Sequence, residues 1–156
     1  METYHHLTSV LMDGGRSLNL IYQDTFHKMG IDPSGIKPSN TTFKCVVLGV
    51  EARCTSSLEL EMVFGSPDNF HSEELIFDIV PFRSGYHAQL GGTAFARFSA
   101  VPHYAYLKHK MPGSPGVIIV NGNMERSPHT KEHTAALAVE VYSGLIKPNS
   151  LSANKA

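Results

Sequence analysis

The chain has 156 residues, enough for one domain with a modest core. Thirteen Lys and Arg stand against fourteen Asp and Glu, so the chain has no basic surplus of the kind that nucleic acid or an anionic membrane attracts, and neither is expected as a partner. Hydrophobic content is ordinary for a globular protein, no apolar run approaches a membrane span, and Met1-Glu2-Thr3-Tyr4-His5-His6 lacks the charged-then-apolar pattern of a signal peptide; an intracellular location, cytoplasmic or nuclear and not secreted, is expected.

In chain order, the apolar run Val10-Leu11-Met12 reads as a buried strand that ends on Asp13 and is followed at once by Gly14-Gly15. Two glycines there allow a sharp turn that brings main-chain N–H groups close to the carboxylate. On these residues alone an ordinary Asp-Gly turn is the simpler reading, and a carboxylate poised for acid–base chemistry is the alternative. Ser17 to Ile21 is a short alternating strand. Tyr22 to Met29 reads as a helix with Tyr22, Phe26 and Met29 on one face, stopped by Gly30. Ile31 to Thr42 reads as a polar connection.

From Phe43 the period changes to two. Phe43 to Val50 and Leu58 to Phe64 are candidate strands, the second setting Leu58, Leu60, Met62 and Phe64 against Glu59 and Glu61. Gly65 to Asn69 is a turn, Glu74 to Phe82 alternates again, and Tyr86 to Leu90 is a strand that runs into Gly91-Gly92. Thr93 to Ala100 suits a short helix with Thr93 as N-cap. His103 to Lys110 and Gly116 to Val120 flank Pro112-Gly113-Ser114-Pro115 as a last hairpin. The pattern predicts an all-β domain over residues 1–122, a barrel closed or nearly so with one or two short helices. Residues 123–156 read as a linker or tail, partly disordered, with a helix across Thr134 to Tyr142.

Cys45 and Cys54 fall in the candidate hairpin, where cross-strand pairing is geometrically open, although an intracellular chain keeps both reduced. Nine histidines are many for this length. His129 with His133, and His103 with His109, sit at suggestive spacings, but no carboxylate or Cys completes a ligand set. Neither a metal nor another cofactor is expected.

Several stretches together resemble the protease segment of plant gypsy-class LTR retrotransposon polyproteins, a lineage of retropepsin-like aspartic proteases. They are Val10 to Gly15 with Ser17-Leu18-Asn19, Met29-Gly30-Ile31, Phe64 to Phe70, Gly85-Tyr86-His87-Ala88 with Leu90-Gly91, Val101-Pro102-His103-Tyr104, and Leu107-Lys108 through Gly113. The likeness runs in order over residues 7–122. It implies a retropepsin-like barrel in which Asp13 is catalytic, Gly14 and Gly15 shape the active-site turn, and Val46, Val47, Leu48 and Gly49 belong to a flap over the substrate. It also implies a homodimer that sets two Asp13 carboxylates together at a twofold axis. Such a pair shares one proton, so that one member activates water and the other polarises the scissile carbonyl of a peptide or polyprotein substrate.

The sequence departs from that family at points that bear on activity. Arg16 stands where a small residue is usual, beside the expected cleft, where a guanidinium would favour full ionisation of the pair. Cys45 and Leu48 replace a Gly and a Pro of the flap, Thr55-Ser56 replace another apolar-Gly step, and Gln89 and Gly92 depart around Gly91. The N-terminal strand that helps hold such dimers together is expected to be short. Two readings follow: a dimeric aspartic endopeptidase, or a catalytically impaired, domesticated retrotransposon product acting as an interaction module.

Overall fold

The computed structural model describes residues 5–7, 9–45, 50–81, 84–103, 108–122, 136–140 and 145–148. In chain order they form β1 (His5–His6), β2 (Ser9–Asp13), β3 (Leu20–Tyr22), α1 (Gln23–Met29), β4 (Lys37–Cys45), β5 (Val50–Ser66), β6 (Asn69–Val80), β7 (Ala88–Leu90), α2 (Gly92–Phe98), β8 (Val101–His103), β9 (Lys108–Gly113), β10 (Gly116–Asn121), β11 (Ala136–Glu140) and β12 (Leu145–Pro148). The architecture is all-β with two short helices, as the alternating patterns predict. No helix among the described residues is long and apolar enough to cross a membrane.

A nine-stranded sheet runs β1-β12-β5-β6-β3-β7-β2-β11, with β4 paired to β5 off that path, and a second sheet runs β10-β9-β8. The expected closed barrel does not form among the described strands. β11 pairs with β2 and β12 lies between β1 and β5, so the two ends of the path, β1 and β11, are not joined. Strands consecutive in sequence are usually spatial neighbours. Here β7 is inserted between β2 and β3, parallel to the first and antiparallel to the second, while β3 pairs in parallel with β6.

Burial explains why these segments take these forms. On β5, Leu58, Leu60, Met62 and Phe64 are buried while Glu59 and Glu61 alternate on the wetter face. They meet Phe77 and Leu75 of β6, and Phe64 packs edge-to-face on Phe98 of α2 with centroids 5.1 Å apart. All five residues of β2 are buried, as befits a strand covered on both faces. α1 ends at Gly30, whose left-handed backbone (φ 60°) lets its N–H cap the His27 carbonyl.

Other expectations are corrected. Lys37 to Thr42 is strand rather than connection, because β5 extends back to Val50 and offers β4 a partner along its length. That register sets Cys45 opposite Val50 and Cys54 opposite Thr41, so the two cysteines do not face each other across the hairpin, and Cys54 is a buried free thiol. Thr93 is not the N-cap of α2. Gly91 holds that position, and the Thr93 hydroxyl donates to the Ser17 carbonyl instead. Nor is Ala136–Glu140 helical: it pairs antiparallel with β2, Ala136 opposite Asp13, and Leu145–Pro148 pairs with β5. The open edge of β2 supplies a ladder that local composition does not reveal. The register also sets His109 opposite Pro102 and His103 opposite Lys108. His129, His133 and Tyr104 lie outside the described residues.

Candidate functional site around Asp13

Asp13 closes β2, and the chain turns there as the glycines predict. The Gly15 N–H donates to Asp13 Oδ1 at 3.0 Å, and the Arg16 N–H donates to the Asp13 carbonyl at 3.3 Å. Gly14 and Gly15 themselves are exposed. A buried carboxylate needs hydrogen bonds or a counter-charge, and this turn supplies both. Arg16 Nε stands 3.8 Å from Asp13 Oδ2, with the Arg16 side chain 39% exposed and that of Asp13 only 7%. The carboxylate thus has one oxygen on a main-chain donor and the other beside a guanidinium.

The segment after the turn is fastened on two sides. Towards β7 and α2, the Gly92 N–H donates to the Arg16 carbonyl, the Thr93 hydroxyl to the Ser17 carbonyl, and the Gly91 N–H to Asn19 Oδ1 at 3.0 Å. Towards β6, Asn19 Nδ2 donates to the Ile76 carbonyl at 3.3 Å, and the Asp78 N–H donates to the Asn19 carbonyl at 2.9 Å. The amide orientation of Asn19 follows from its partners, because a main-chain N–H only donates and a carbonyl only accepts. Gly91 is required where it sits. A Cβ there would lie 2.5 Å from the Leu18 carbonyl oxygen and 2.7 Å from that of Arg16, both main-chain atoms.

Of the residues expected at the site, Asp13, Gly14, Gly15 and Arg16 come together in one turn, with Gly91 and Gly92 pressed against the segment that leaves it, which becomes strand only at Leu20 rather than at Ser17 as expected. The expected flap residues Val46, Val47, Leu48 and Gly49 lie outside the described residues; the strands on either side of them pair with Cys45 opposite Val50. Sequence reasoning gave no structural role to Asn19, whose polar side chain in an alternating stretch reads as outward-facing, yet it is buried. It also missed Asp78, which is buried on β6 and accepts the Ser39 hydroxyl at 2.6 Å. A lone charge inside Leu75-Ile76-Phe77-Asp78-Ile79 was the available signal. Asp78 in turn bears on Cys54, whose thiol is pushed up to about 11 by burial first and by this carboxylate second.

Among the described residues no three His, Cys, Asp or Glu side chains converge as a metal ion would require. No family model matches the sequence, and neither a curated protein nor a solved structure matches it.

Proposed function

We propose that this chain is a retropepsin-like domain of retrotransposon ancestry in which Asp13 is held by Arg16, so that it keeps the scaffold of a dimeric aspartic endopeptidase and acts as an intracellular interaction module rather than by cutting peptides. The observation that carries this reading is the turn itself: a carboxylate only 7% exposed with a guanidinium 3.8 Å away. A dyad needs the same carboxylate open to its copy across an axis, with a proton shared between the two. The retropepsin-like part of the reading is supported by an aspartate at the end of β2, and by β7 inserted beside that strand and running through Gly91-Gly92 into α2.

A second reading, active hydrolysis by a homodimer, is favoured by one specific contact. The Gly15 N–H on Asp13 Oδ1 is the kind of bond that orients a catalytic carboxylate.

A broad peptide library incubated with the protein at mildly acidic and neutral pH distinguishes the two. The expected result is no turnover that Asp13→Asn removes, with that variant as stably folded as the parent. Cleavage abolished by Asp13→Asn, from a species with the mass of a dimer, establishes the endopeptidase and overturns the proposal.

A further inference from the structure

Away from the Asp13 carboxylate lies a groove of about 520 Å³ between β6, the Ser17–Asn19 segment and the exposed side of α2. That volume falls within the range of small-ligand and peptide pockets. Its walls include Leu18, Leu75, Ile76 and Ala96, with Glu74 on one side and Arg97 on the other.

The floor of this groove is an open strand edge. β5 and β6 pair without a register break from Ser57–Asp78 to Ser66–Asn69. In an antiparallel ladder the main-chain groups of alternate residues point to opposite edges. The Asp78 N–H and the Ile76 carbonyl both point away from β5, since both bond to Asn19. Glu74 and Ser72 share that parity, so their N–H and C=O groups point into the same edge. The edge is used at both ends, by Asn19 at Ile76 and Asp78 and by the bridge between Phe70 and Ser114. Between those ends Ser72 and Glu74 have no main-chain partner on that side among the described residues. An unpaired edge of this kind is a template for an added strand.

The side chains say what would be added. Ile76 is 63% exposed, a large apolar group left in water on the face it shares with Glu59 and Glu74. In the ladder with β12 the register sets Lys147 opposite Glu61. Glu74 and Arg97 line one groove, and neither is in an ion pair among the described residues. A groove with a carboxylate on its sheet wall and a guanidinium on its helix wall complements a chain that carries both signs. We infer that this groove binds an extended peptide by strand addition to β6 at Ser72–Ile76, with an apolar residue against Leu18 and Ile76, a lysine or arginine at Glu74 and a carboxylate at Arg97. This does not rest on Asp13 being silent or active, because binding to β6 involves no hydrolysis.

The test uses the Asp13→Asn full-length chain, so that cleavage cannot alter the readout, and a fluorophore-labelled Lys-Val-Thr-Val-Glu peptide. Fluorescence anisotropy should show saturable binding. A probe N-methylated at alternate amides should lose it, because methylation removes the main-chain donors and leaves the side chains in place. Glu74→Lys should weaken the lysine probe roughly fivefold to tenfold, the scale of reversing a partly exposed pair, and should recover when the probe's lysine is changed to glutamate. Arg97→Glu should do the same with the probe's carboxylate. A cooperative thermal melt confirms that each variant is folded. Absence of binding at about 1 mM probe, equal binding of the N-methylated probe, or indifference to both charge reversals overturns the inference.

Discussion

Asn19→Ala is the sharpest perturbation of the candidate site that leaves Asp13 untouched. Asn19 is 5% exposed and spends its side chain on two strands at once, accepting from the Gly91 N–H and donating to the Ile76 carbonyl. The two losses are unequal. Ile76 is largely exposed, so its carbonyl recovers a water; Gly91 is buried, so its N–H is left without a partner. A lost hydrogen bond that water replaces costs about 1 kcal/mol, and a buried donor left bare costs about 1–3 kcal/mol, which puts Asn19→Ala at about 2–4 kcal/mol. That is a large share of the roughly 5–15 kcal/mol that stabilises a domain. With a urea slope of about 2 kcal/mol/M, the midpoint should fall by roughly 1–2 M at unchanged slope. Equilibrium urea denaturation followed by far-ultraviolet circular dichroism measures it. A change under about 0.5 kcal/mol, the level of an indifferent surface substitution, would refute the view that this amide joins the Asp13 turn to β6 and β7.

Gly91→Ala drives a Cβ to 2.5 Å from the Leu18 carbonyl oxygen, a main-chain atom with little room to move, and should cost about 1–3 kcal/mol as overpacking does; a urea midpoint equal to that of the parent would show that the contact yields freely. His109 is fully buried against the edge of Phe95, and burial lowers its pKa from 6.5 to about 4. The unfolded chain therefore takes up a proton below about pH 6.5 that the folded chain refuses until about pH 4, so stability is complete above that window and falls by about 3 kcal/mol as pH drops through it. Urea melts across this range should show the slope reduced in His109→Leu, and identical slopes in parent and variant would count against the assignment.

What the sequence made legible was local. Leu58, Leu60, Met62 and Phe64 announce a strand with one buried face, Gly30 announces a helix end, and Gly65 to Asn69 announces the turn that β5 and β6 share. Asp13 at the end of an apolar strand before two glycines was readable for the same reason, since turn chemistry is written in adjacent residues. What was not legible depends on partners far along the chain. Ala136–Glu140 carries enough alanine to suggest a helix, and it is a strand because β2 offers an unpaired edge. The insertion of β7 between β2 and β3 has no local signature, and without it neither Asn19 nor Gly91 has a visible purpose. Thr93 is a good N-cap residue by type, but the close approach of Gly91 to the Arg16–Leu18 backbone places the cap two residues earlier and leaves the Thr93 hydroxyl for Ser17.

The contact between Arg16 and Asp13 matters less for its strength than for its charge. At 3.8 Å, with the guanidinium 39% exposed, the pair is screened by water and contributes no more than about 1 kcal/mol. A weak contact would not by itself stop an enzyme. In a homodimer, however, each Asp13 brings its own Arg16. Two carboxylates alone cannot both ionise in contact, and that repulsion is what makes them share a proton. Two carboxylates with two guanidinium groups are neutral with no proton at all. If the proposed dimer forms, Arg16 would bear on the site through the charge it adds at the axis, beside the burial that already closes the carboxylate.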